Sequence, residues 1–224
     1  MNGNAWEAIW AGRELLWNGL LATLALSAVT IITSTVVGFL VGFARYSRIP
    51  VLDVVLRVYL ELFRGTPLLI QLMFVYFGAA YLRLDWVSVF IASAIAITLY
   101  QGAYISEVFR AGFASVPPGQ REAARTLGLS RFHTNKDVVF PQTTLVVLPP
   151  LFGQYLTLIK NTVLASVIGF SDIVRQGQAI IERGANSFVV YLVIAALFFA
   201  FNYPLSLLAG ALERRIIRKR GVVA

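Results

Sequence analysis

A chain of 224 residues in which 58% are hydrophobic and only 13% are charged is too apolar for a soluble core of ordinary composition, so the sequence reads as an all-α integral membrane protein. Its net charge of +8 sits between and after the apolar runs, where topology signals lie, and this argues against nucleic acid as a partner. With no cysteine and one histidine, His133 in a polar loop, the chain has no disulfide or thiol chemistry and no Cys- or His-rich metal site.

Residues Ala5 to Trp17 combine Trp6, Trp10 and Trp17 with Glu7, Arg13 and Glu14, which predicts a short amphipathic helix on the membrane surface. No basic stretch, apolar core and small-residue cleavage site mark a removable signal peptide, so the first span is expected to serve as the targeting signal. Five spans are predicted, at 19–43, 59–82, 87–109, 145–168 and 188–212, each near or above the roughly 20 residues that cross a bilayer. Gly38 and Gly42 in the first let a neighbouring helix come close. Arg45, Arg48 and Arg57 around Pro50 read as a positively charged loop. In the second span Glu61 and Arg64 precede Gly65-Thr66-Pro67, and Pro67 predicts a kinked start or two helical pieces. Glu61 with Arg64 reads either as an interfacial pair or as part of a substrate path.

In the third span Tyr100, Gln101 and Tyr104 share a helix face, and the cost of polar groups against lipid predicts that this face points inward. Glu107 and Arg110, three apart near its end, read as a surface ion pair or as substrate contacts. Pro149-Pro150 predicts a break near the start of the fourth span. Later in it, Lys160-Asn161-Thr162 is the most unusual polar cluster among the apolar residues, and a charge there is costly unless paired or solvated. Lys160 could meet a substrate carboxylate, with Asn161, Thr162, Gln101 and Tyr104 beside it, or it could pair with a helix end or an acidic residue. Ser171-Asp172 can cap a further helix from Ile173 to Arg183. Asn202 and Pro204 predict a kink in the last span, ahead of a basic tail from Glu213 to Arg220.

The polar stretch 117–141 interrupts this pattern. After a Pro117-Pro118-Gly119 turn, Glu122 to Leu127 are good helix formers that stop at Gly128, a residue suited to the left-handed conformation past a helix end. Its exposed face is expected to offer Ala123 and Ala124 between the charges of Arg121, Glu122 and Arg125, a shape that suits a groove on a partner. Ser130 is placed to cap a second helix, Arg131 to Val139, that ends ahead of Pro141.

The spacing of Glu122-Ala123-Ala124, Gly128, Val138 and Phe140-Pro141 resembles the conserved cytoplasmic loop of permease subunits of bacterial ABC importers, with valine and phenylalanine where that family usually has isoleucine and leucine. Leu62-Phe63-Arg64-Gly65-Thr66-Pro67-Leu68-Leu69 with Gln71, Ala103-Tyr104 with Glu107, and Lys160-Asn161-Thr162-Val163-Leu164-Ala165-Ser166-Val167-Ile168-Gly169 are similar to its polar amino-acid branch, though Val163 replaces a frequent serine. The resemblance covers about Gly19 to Arg215 and implies a single permease domain of the type I importer fold. It also implies that Arg121, Glu122, Ala123, Ala124, Arg125, Leu127, Gly128 and Pro141 belong to a coupling loop that docks on an ATPase dimer.

Charge gives the orientation independently. Arg45, Arg48, Arg57, Arg110, Arg121, Arg125, Arg131, Lys136 and the tail cations fall on one side of five spans, against Arg13, Arg83, Arg175 and Arg183 on the other. By the positive-inside bias the N-terminus is outside, and the loop and tail are cytoplasmic. The chain has no Gly-x-x-x-x-Gly-Lys-Ser/Thr phosphate loop, so hydrolysis is expected on a separate ATPase subunit that holds ATP and Mg, and no cofactor is expected here. The resemblance further implies an extracytoplasmic solute-binding protein, a polar amino acid as substrate and residence in the bacterial inner membrane. Five helices without an internal repeat predict a second permease subunit, identical or related, around a shared path. An ion-gradient-coupled carrier or channel is the alternative, but it calls for acidic residues deep in the spans, and Glu61 and Glu107 lie near span ends.

Overall fold

The computed structural model describes residues 5–47 and 49–219; Arg48, Arg220 and the side chains of Arg218 and Lys219, which entered the charge bias, lie outside what is described. Among the described residues every regular element is helical. The helices are α1 (Ala5–Ala11), α2 (Arg13–Tyr46), α3 (Pro50–Gly65), α4 (Leu68–Tyr81), α5 (Val89–Ala114) and α6 (Pro118–Thr126), followed by α7 (Arg131–His133) with a π-helical segment (Thr134–Val139). Then come α8 (Phe140–Asn161) with a 3₁₀ segment (Thr162–Ile168), α9 (Ile173–Glu182) and α10 (Ser187–Lys219). Among the described residues four stretches are long and apolar enough to cross a membrane, or five if the bent pair α3–α4 is one span.

The first span begins earlier than expected: α1 ends at Ala11, and Arg13 to Trp17 already belong to α2. At 34 residues α2 is about 50 Å long at 1.5 Å per residue, well beyond the ~30 Å hydrocarbon core. Its buried face is lined by Thr23, Ser27, Thr30 and Ser34. The hydroxyls of Thr23, Ser27 and Thr30 donate to carbonyls one turn back, which removes the cost of burying them. The opposite face exposes Leu21, Val29, Ile32, Val36 and Leu40 at helical spacing, as a lipid-facing stripe requires.

The expected charged loop around Pro50 is instead helical: Arg45 lies in the last turn of α2, and Arg57 lies within α3, on the Asp53 carboxylate one turn back. The second span, read as 59–82, is two helices bent by 106° at Thr66-Pro67. The break is stabilised by Gln71, whose amide donates to the carbonyl and hydroxyl of Thr66. Pro141 does not stop a helix, and Pro149-Pro150 do not break one; Arg131 to Ile168 runs on as a single candidate span. The π-helical turn before Pro141 shifts bonding by one residue, with the Phe140 N–H donating to the Asn135 carbonyl, and such a turn accommodates an inserted irregularity. Pro149 and Pro150 are of the kind that spanning helices tolerate when neighbours satisfy the freed groups.

The chain forms two compact units whose boundaries fall inside α2, α5, α8 and α10, with one further boundary between α3 and α4. One unit comprises Met1–Ile32, Thr66–Thr98 and Leu156–Leu205. Its core is Leu16, Ile173, Ile180, Ala185, Val190 and Ile194, where α9 packs on the starts of α2 and α10. Asp172 caps α9 by accepting from the Arg175 N–H, and the Ile173 N–H donates to the Thr23 hydroxyl. Burial pushes the Asp172 carboxyl up to about 6, against the opposing effect of the Arg175 and Val174 amides.

The other unit comprises Thr33–Gly65, Leu99–Tyr155 and Ser206–Ala224. Here Gly42 lets α2 approach α5 closely, since a Cβ at that position would stand 2.5 Å from the Ser106 carbonyl oxygen. Phe39, Phe43, Tyr46, Phe109, Phe113 and Phe140 form one aromatic cluster, with Phe113, Val116 and Val139 fully enclosed. Around it, Arg45 pairs with Glu107 and Asp53, and Glu107 also accepts from Arg110.

Candidate functional site

The polar loop is built as a rigid projection. Pro117 is extended and Pro118 occupies the first helical position, where its missing N–H is no loss, so α6 starts without a side-chain cap. At the far end Gly128 adopts φ +81. The Leu129 N–H donates to the Ala124 carbonyl and the Gly128 N–H to the Arg125 carbonyl, the paired bonds of a Schellman end. Ser130 then caps α7, accepting from the His133 N–H. The expected helix, its glycine stop and the following serine cap are therefore all present, and the helix begins earlier, at Pro118.

The outward face differs from the sequence expectation at two residues. Ala124 is 3% exposed and faces the protein, so only Ala123 of the alanine pair is presented. Arg121 also turns inward: its guanidinium donates to the carbonyls of Phe113 (2.7 Å) and Val116 (3.3 Å) and lies 4.9 Å above the Tyr46 ring. A cation on the carbonyls that end α5 satisfies groups the helix cannot, and the ring adds a cation–π contact. Gln142 reinforces the link by donating to Gln120. What remains outward is Glu122, Ala123, Arg125 and Gly128, with two large apolar side chains, Leu127 at 81% and Phe132 at 69% exposure. Pro141 is exposed as well. Sequence reasoning did not single out Phe132 or Tyr46; an aromatic two residues past a predicted cap was the available signal for Phe132, and nothing local marked Tyr46.

The polar residues within the spans divide between the two units. In one, Gln101 is 1% exposed and its amide donates to the Gln154 side chain (2.7 Å) and carbonyl (3.2 Å), joining α5 to α8. Gln154 stands out in the sequence as an amide in an apolar span, but nothing local to it names its partner. Tyr104 is half-buried, its hydroxyl 3.4 Å from that of Tyr100, with the Arg64 guanidinium 5.3 Å from its ring. Glu61 is exposed and makes no ion pair with Arg64, whereas the Glu107–Arg110 pair is formed at 2.9 Å. In the other unit, Thr162 is buried and donates to the Ile159 carbonyl at the change from α to 3₁₀ helix. Lys160 is exposed and Asn161 half-exposed; among the described residues Lys160 has no acidic partner. No group of acidic or histidine side chains suited to a metal occurs among the described residues.

The family described as "Binding-protein-dependent transport system inner membrane component" matches residues 34–218. The glutamine transport system permease protein GlnP of Escherichia coli is 37% identical over 215 residues, covering 94% of this chain and 97% of that protein. A crystal structure of an amino acid ABC transporter with histidines has a chain 32% identical, with a TM-score of 0.85, covering 96% of this chain and all of that one. A methionine ABC transporter in an inward-facing conformation shares the fold, at 19% identity and a TM-score of 0.76, over 91% of this chain and 97% of that one.

Proposed function

Since this chain belongs to the family of binding-protein-dependent transport system inner membrane components, and is a multi-pass membrane protein of that family, we propose that it is the membrane-spanning subunit of an ABC importer that carries polar amino acids into the cytoplasm. Glutamine, named for the E. coli relative, falls within that class. The partners are a separate ATPase dimer that binds ATP and Mg, a second permease subunit of identical or related sequence, and an extracytoplasmic solute-binding protein. The N-terminus lies outside and the tail in the cytoplasm, so α6 faces the compartment that holds ATP.

The observation that carries this reading is the construction of α6: a helix started by Pro118 and closed at Gly128, with Leu127 at its end and Phe132 in the following α7 left exposed. An apolar tip on a short, stiff helix costs solubility and suits a groove on a partner. When ATP draws the ATPase dimer together, α6 moves with its host. Arg121 passes that displacement to the end of α5, and the aromatic cluster passes it to α2 and α8, so it is not absorbed in a slack loop. The work comes from the difference in ATP affinity between the two states of the assembly, and no bond is made or broken in this chain.

Lys160 is the leading candidate for the substrate path. A lysine facing lipid costs up to about 2.5–3.5 kcal/mol at the centre of a span and less toward its ends, so the exposure of Lys160, in the last turn of α8 within the span that runs to Ile168, favours a polar path or a second subunit beside it. Asn161, Tyr104 and Glu61 have polar groups to offer, whereas Gln101 and Thr162 already hold protein partners. Reconstitution with the ATPase tests both parts. Gly128→Asp and Glu122→Lys are expected to insert normally yet weaken ATPase association or uncouple hydrolysis from uptake; normal uptake in both overturns the coupling role. Lys160→Ala is expected to lower uptake with the ATPase still co-purifying, and an unchanged affinity and rate retires it as a substrate contact. Uptake driven by an ion gradient without ATP overturns the importer reading in favour of a carrier.

A further inference from the structure

Beside α6 lies a cavity of about 660 Å³, within the range of roughly 300–1,000 Å³ typical of small-molecule sites. Its lining carries five guanidinium groups, from Arg45, Arg110, Arg121, Arg125 and Arg131, and no carboxylate. Like charges gathered this way repel unless something neutralises them. Glu107 and Asp53 do so for Arg45 and Arg110, and Arg121 is held by backbone carbonyls. Among the described residues Arg125 and Arg131 have no acidic partner. A second observation points the same way. Thr134 on the lining is 4% exposed, and its hydroxyl has no hydrogen-bond partner; the buried Arg121 Nε also has none. Buried polar atoms are nearly always satisfied, so two orphans on one basic cavity mark a place where an acceptor belongs.

We propose that this cavity binds a phosphate group, carried by an anionic lipid headgroup or by a free phosphate. A carboxylate brings one charge on two oxygens, and Glu107 and Asp53 each already serve two guanidinium groups, whereas free phosphate or a phosphomonoester headgroup brings more than one charge on three or four oxygens. Three guanidinium groups without a carboxylate, plus a hydroxyl, match the larger acceptor set. The position fits as well: Arg45 lies in the last turn of α2 and Arg110 four residues before the end of α5, and the ends of spanning helices are where cations meet headgroups. Because Arg121 and Arg125 belong to α6, an anion held here would fasten the coupling helix to the ends of two spans. The site rests on the geometry of one compact unit and does not depend on what the chain transports.

The test uses the full chain purified in detergent, in two arms. Native mass spectrometry counts retained phosphatidic acid, a phosphomonoester, against phosphatidylcholine, and thermal unfolding is followed with inorganic phosphate against chloride at matched ionic strength. Selective retention of phosphatidic acid identifies a lipid headgroup; stabilisation by phosphate in delipidated chain identifies the free ion. Either is expected to weaken at least tenfold in Arg131→Gln/Thr134→Val, to persist in Arg131→Lys, and to be unchanged in Arg175→Gln, a cation outside the cavity. Absence of both effects in the unaltered chain overturns the proposal. So does equal binding by the double variant, which would reduce the effect to general attraction by a basic protein, and so does a cavity filled only by a carboxylate of the ATPase.

Discussion

Replacing Arg121 by glutamine tests how α6 is held. The guanidinium makes two hydrogen bonds to carbonyls near the end of α5 and lies over the Tyr46 ring. Hydrogen bonds to a charged group contribute about 1.5–3 kcal/mol, and a partly exposed cation–π contact contributes ~0.5–1 kcal/mol. Because Arg121 is only half-buried, water recovers part of the loss, which leaves about 2 kcal/mol, or roughly a 30-fold rise in the population with α6 undocked. Hydrogen exchange on the detergent-solubilised chain reads this directly: amides of 118–128 are expected to lose about 10–100-fold in protection while those of α9 keep theirs. In the reconstituted transporter, ATP hydrolysis persists and uptake per ATP falls. Arg121→Lys, which keeps the charge without the fork, is expected to lie between the two. Unchanged protection over 118–128 in the glutamine variant would refute the anchoring role.

Two further outcomes follow from buried polar groups. The Asp172 carboxyl is raised in the folded state to about 6 from an ordinary 3.8, so its burial weighs against folding above about pH 6 and not below pH 4. A shift of about 2 units is ~3 kcal/mol, so Asp172→Asn, which keeps an oxygen to cap α9, is expected to raise the melting temperature at pH 8 and to leave it unchanged near pH 4. Intrinsic tryptophan fluorescence follows the melt, and a pH-independent difference sinks the assignment. Gln101→Leu leaves the Gln154 amide unpaired between α5 and α8, with an expected loss of about 0.6–1.7 kcal/mol in stability and no change in the apparent KM for uptake. A changed KM would return Gln101 to the substrate path.

Features set by a few neighbouring residues were legible in the sequence. Apolar runs longer than a bilayer's thickness marked the long apolar helices, because no exposed backbone survives in hydrocarbon except inside a helix. Helix formers followed by Gly128 located the end of α6, and Ser130 and Asp172 located caps, because each of those bonds closes within one turn. Charge patterning predicts a side for the loop, since cations weight the cytoplasmic face whatever the packing.

Tertiary structure decided what each side chain meets. Ala123 and Ala124 are adjacent and identical, yet only Ala124 is buried, because which face of α6 is covered depends on the π-helical segment Thr134–Val139 that packs against it. Arg121 reads as a surface charge until the carbonyls of Phe113 and Val116 and the ring of Tyr46 are placed around it. Pro141, Pro149 and Pro150 read as breaks by local rules, but a π-helical turn and the surrounding span carry the helix through them. Gln101 finds Gln154 in another helix, 53 residues along the chain. Backbone propensity acts over a turn or two and is written locally; the partner of a polar side chain is chosen by whichever segment the fold brings within about 3 Å, and sequence distance carries no record of that choice.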